Sequence, residues 1–85
     1  MTPAQWEARV LAVVDDLGLF LAGEPVAKVD ASLARMRQNL NAEFCTLFPR
    51  AAPETMAAGV DCIIVEIQKR RREIEAAGAV PARRN

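Results

Sequence analysis

The sequence predicts an all-α fold: an antiparallel up-down-up bundle of three helices, at about residues 3–22, 25–48 and 53–77. Three observations lead there. Apolar residues recur at the helical period over nearly the whole chain. Proline and glycine fall between the periodic segments, where helices begin and end. The connections left over are about two to five residues long, which makes neighbouring helices antiparallel.

The first helix has a complete start signal. Thr2 can cap, Pro3 carries the fixed φ suited to a first helical position, and Gln5 completes a capping box. Trp6, Val10, Val13, Val14, Leu17, Phe20 and Leu21 share an arc of about 120°. Gly23 is the stop. Gly18 is the weak point, costing about 1 kcal/mol against alanine.

The second helix opens at Pro25, with Asp30 or Ser32 as the alternative cap. Val26, Val29, Leu33, Met36, Leu40, Phe44, Leu47 and Phe48 form its stripe, and the early spacing is a heptad seam. Asp30, Arg37 and Asn41 flank that stripe as a rim. Pro49 ends the helix, because the residue before proline disfavours helical backbone.

The third helix opens at Pro53-Glu54, with an acid well placed against the helix dipole. Met56, Val60, Ile63, Ile64, Ile67 and Ile74 make its stripe, and Gly78 and Pro81 end it. Residues 62–67 are rich in β-branched side chains, a strand signal. The helical period continues on both sides of them, and no second strand exists to pair with, so helix wins. The reading is thus one helical domain over residues 1–78 and a frayed tail over 79–85.

Composition narrows the function classes. The chain has 85 residues, 52% hydrophobic and 26% charged, with no histidine and no tyrosine. A domain of this size buries only about 60–65% of its unfolded surface, so its core is thin. No motif for phosphate binding, metal ligation or nucleophilic catalysis is present, and the expectation is a protein with no catalysis and no cofactor. Net charge is zero, so no global field points to nucleic acid or an anionic membrane. Residues 1–24 carry a net of −3, residues 25–52 a net of +2 and residues 53–85 a net of +1. These segments attract one another within one fold or across a dimer. The apolar stretch Leu17–Gly23 is far short of the roughly 20 residues that span a bilayer. Asp15, Asp16 and Glu7 spoil a leader-peptide reading, which points to a cytoplasmic protein.

Cys45 and Cys62 are not a disulfide scaffold. In a helical hairpin turning near Arg50 and Ala51, they are offset by about six residues, or roughly 9 Å. That exceeds the Cα separation of about 7 Å that a bridge tolerates.

Two features remain as candidate sites. Lys69-Arg70-Arg71-Arg72, helped by Arg83 and Arg84, is either a binding patch or a solvated helix end. The (i, i+4) pairs Glu66–Arg70, Lys69–Glu73 and Arg71–Glu75 favour the latter. Ala58, Cys62, Val65 and Lys69 lie opposite the main stripe of the third helix, and Leu11 and Leu19 lie off the stripe of the first. Together they are a candidate surface for a homodimer or another protein. A helix-turn-helix reading fails because Pro53–Ala58 offers no base-reading side chain and Glu54 repels phosphate. The expectation is a small helical protein-protein interaction module: an adaptor, a subunit, or a stoichiometric regulator or inhibitor of another protein. The alternative is a nucleic-acid-associated regulator using the C-terminal basic residues.

Overall fold

The computed structural model describes residues 2–81, and they hold three α-helices and no strand. These are α1 (Pro3–Leu21), α2 (Val26–Leu47) and α3 (Pro53–Ala76). Each boundary falls within one residue of the periodicity's. The expected tail starts at Ala79; its residues 82–85, with Arg83 and Arg84, lie outside the described residues.

The helix ends explain this agreement. Thr2 Oγ1 accepts from the Gln5 N–H at 3.2 Å, and Gln5 Oε1 accepts from the Thr2 N–H at 2.9 Å, closing the capping box. Gly23 at φ 79° and Gly78 at φ 69° take the left-handed conformation that stops α1 and α3. After α3, the Ala79 N–H bonds back to the Ile74 carbonyl at 3.0 Å, the wide bond of a Schellman ending. Pro25 is the N-cap of α2 rather than its first helical residue, and it makes no side-chain capping bond.

The chain packs as two compact units that share α3 between them, divided after Val65. In the first, α2 packs on the N-terminal part of α3. Arg37 pairs with Asp61, and a Cβ on Gly59 would lie 3.0 Å from the Phe44 ring, so the two helices run antiparallel. The buried side chains are Val29, Leu33, Phe44, Val60, Ile63 and Ile64. In the second, α1 packs on α3 from Glu66 onward. Gly18 meets Arg70, and Gly23 meets Glu75, so these helices run parallel. Val14, Leu21, Ala22, Ile67 and Ile74 are buried there. Helix-on-helix packing of this kind within each unit is that of a bundle. Residues 62–67 are helical, and five side chains of the expected α3 stripe — Val60, Ile63, Ile64, Ile67 and Ile74 — are buried.

Two of the expected stripes need correction. Phe20 is 52% exposed. The buried face of α1 centres on Val14, Gly18 and Leu21, and Phe20 lies about 120° from Val14 at the helical turn. Small residues carry the middle of this face: a Cβ on Gly18 would sit 2.7 Å from Arg70 Cγ and 3.3 Å from the Arg71 backbone nitrogen. Gly18 therefore sits at a close approach of α1 to α3 and is not merely a weak helix former. In α2, Val26 is 70% exposed, and Leu47 and Phe48 are exposed as well. All three are in phase with the stripe but sit at the helix ends. Periodicity sets a side chain's direction and says nothing of where the facing helix stops.

Candidate functional site

The basic run on α3 is not one patch. Arg70 reaches Asp15 of α1 through Nε at 3.3 Å and Glu73 through Nη1 at 3.3 Å. Arg71 turns inward, its side chain only 18% exposed, and pairs with Glu75 at 3.4 Å. The same carboxylate oxygen, Glu75 Oε2, accepts from the Gly23 N–H at 2.9 Å. Arg71 and Glu75 thus tie the turn that ends α1 to α3. The Arg71 Nε is buried and has no hydrogen-bond partner among the described residues. Lys69 and Arg72 are exposed and make no ion pair among the described residues.

Of the three expected (i, i+4) pairs, Arg71–Glu75 forms. Glu66–Arg70 and Lys69–Glu73 do not form among the described residues. Arg70 instead takes Asp15 across the helix contact and Glu73 one turn away. An acid on a packed neighbouring helix competes on equal terms with one on the same helix, and a sequence read along one helix does not show it. Arg37, on the expected rim of the α2 stripe, likewise pairs with Asp61 of α3.

The apolar candidates are exposed as the periodicity requires. Val65 is 55% exposed and Leu11 57%, and Leu19, Ala58 and Cys62 also face outward. In the α1–α3 unit a shallow groove of about 220 Å³ is lined by Leu11, Val14, Asp15, Glu66, Lys69, Arg70 and Glu73. It brings Leu11, Lys69 and Arg70 together. Leu19 is not part of it, and Ala58, Cys62 and Val65 belong to the other unit.

Both cysteines are free and exposed. Among the described residues no group of three or more His, Cys, Asp and Glu is placed to hold a metal. Among the same residues no helix is long and apolar enough to cross a membrane. Sequence reasoning missed Gly18, Asp15 and Glu75 as parts of the α1–α3 contact. Only Gly18 left a signal, as a glycine in the middle of an otherwise good helix whose cost needs a packing reason. Comparison with known proteins returned no matching family model, curated protein or solved structure.

Proposed function

We propose that the chain is a small helical protein-interaction module that works by binding: an adaptor, a subunit or a stoichiometric regulator of another protein. In this reading residues 1–78 are one domain, its helices run up-down-up, it acts in a cytoplasm, and it needs no cofactor. The observation that carries the reading is the exposure of Leu11 and Val65, each more than half open to solvent on faces that the packed stripes do not use. An apolar centre with a polar rim is the make-up of a contact surface. Lys69, which lines the same groove as Leu11, supplies charge beside it.

The test is photo-crosslinking in the native host, with a benzophenone side chain at position 11 or 65 and a control at exposed Ala27. Discrete adducts at 11 or 65, identified by mass spectrometry and missing from the control, are the expected result. Adducts no different from the control would reject the reading. A mobility-shift series with duplex and single-stranded DNA at low and moderate salt distinguishes the nucleic-acid alternative, which requires a salt-dependent shift.

A further inference from the structure

α3 is one uninterrupted helix of 24 residues. At the helical turn, Ala58, Cys62, Val65 and Lys69 fall within about 60° of one another. Their spacing of four, three and four is that of a coiled-coil seam, on the side opposite the buried stripe. All four are exposed, as is Thr55 at the head of the same face. Thr55, Ala58 and Cys62 are small, so a facing backbone can come close.

The charges on α3 divide into those used within the chain and those left outside. Asp61 is held by Arg37, Arg70 by Asp15 and Glu73, and Arg71 by Glu75. Glu54, Glu66, Lys69 and Arg72 make no ion pair among the described residues. Glu54 stands in the first turn of the helix, while Lys69 and Arg72 stand near its other end. Glu54 and Arg72 lie on the same flank of the seam, each about 80° from Cys62.

We propose that a second copy of this chain docks antiparallel along this outer face of α3, with the two-fold axis beside Cys62. Like flanks meet in an antiparallel pair. Glu54, eight residues before Cys62, then faces Arg72 of the other copy, ten residues after it. The mismatch of two residues is about 3 Å along the axis, well within the reach of an arginine. Val65 of one copy fits over Ala58 of the other, large against small. In a parallel pair the flank that carries Glu54 and Arg72 would meet the opposite flank of the other copy and leave both charges without this partner, so the charge pairing selects the antiparallel register. Glu66 lies on the other flank, where its antiparallel neighbours Ala58 and Gly59 are uncharged. Asp61, which meets its own copy beside the axis, keeps Arg37 as its counter-ion.

This deepens the interaction reading by naming the first partner as the chain itself. Light scattering coupled to size exclusion decides it, with helicity followed by far-ultraviolet dichroism. Wild-type protein at high micromolar concentration is expected at twice the 9.3 kDa chain mass. Val65→Glu should shift it to monomer with helicity unchanged. Glu54→Arg and Arg72→Glu should each weaken self-association by more than about tenfold, since like charges then meet. Combining the two swaps the pair and should restore the dimer, an outcome that misfolding cannot produce. In a Cys45→Ser background, a short bis-maleimide should link two copies through Cys62. A mass of 9.3 kDa at every concentration would overturn the proposal. So would a folded double variant that stays monomeric. A monomer that still crosslinks to other proteins in the host leaves the interaction reading standing; loss of those adducts beside an intact dimer would reject that reading and keep this one.

Discussion

The two parts of α3 are held by different chemistry. From Pro53 to Val65 the helix is packed by plain apolar side chains of α2, with Phe44 lying over Gly59 and the ion pair Arg37–Asp61 out in solvent. From Glu66 onward it is packed by α1 through a close backbone approach at Gly18 and polar ties at Asp15–Arg70 and Gly23–Glu75–Arg71. The first contact is an ordinary hydrophobic hairpin. The second uses side chains that read, along the sequence, like a binding patch. The contrast shows why a basic run cannot be judged by its composition: two of its four cations are structural.

The largest expected effect tests what both contacts share. Ile67 is fully buried and Leu33 is buried in the α2 contact. Truncating either to alanine should cost about 2–5 kcal/mol by urea denaturation, enough to threaten so small a fold. At concentrations low enough to keep the chain monomeric, Val65→Ala should cost far less, because Val65 lies on the outer face of the single chain. Equal losses at 65 and 67 under those conditions would mean that α3 is wrongly phased.

The next effects separate the two contacts. Glu75→Ala removes the acceptor of the Gly23 N–H and the partner of a mostly buried arginine, and should cost about 1–3 kcal/mol. Gly18→Ala forces a methyl group against Arg70 close to its backbone. Overpacking costs about 1–3 kcal/mol and the gain in helix propensity returns about 1, so the net expectation is a loss of up to about 2 kcal/mol. Gly59→Ala meets only the edge of the Phe44 ring, which can yield by a few tenths of an ångström, so its loss should be smaller than that at Gly18. Thermal melts of the two alanine variants check this ordering. Asp61→Asn should be the mildest, at most about 1 kcal/mol, since both partners of that pair are largely exposed.

The hairpin was the more legible contact. Its stripe residues are large, and the period alone finds Val29, Leu33, Phe44, Val60 and Ile63. Its errors, Val26, Leu47 and Phe48, come from the helix ends, where the direction is right but the side chain stays exposed. The α1 contact was harder to read because its centre is made of Gly18 and Ala22, which carry no hydrophobic signal, so Phe20 was drawn into the stripe in their place. The outer faces of α1 and α3 were readable as exposed but not as one surface. The groove that joins Leu11 to Lys69 and Arg70 depends on how α1 lies on α3, which no spacing along either helix encodes.

The division of α3 into an inner side that holds the fold and an outer side left for a partner is tested most directly by two neighbouring arginines. Arg71→Ala and Arg72→Ala are to be compared by urea denaturation at protein concentrations low enough to keep the chain monomeric. Arg71 is tied to Glu75 and mostly buried, so its loss should lower stability by about 1–3 kcal/mol. Arg72 is exposed and makes no ion pair among the described residues, so its loss should leave stability within about 0.5 kcal/mol of wild type. Equal changes at the two positions, in either direction, would contradict the division.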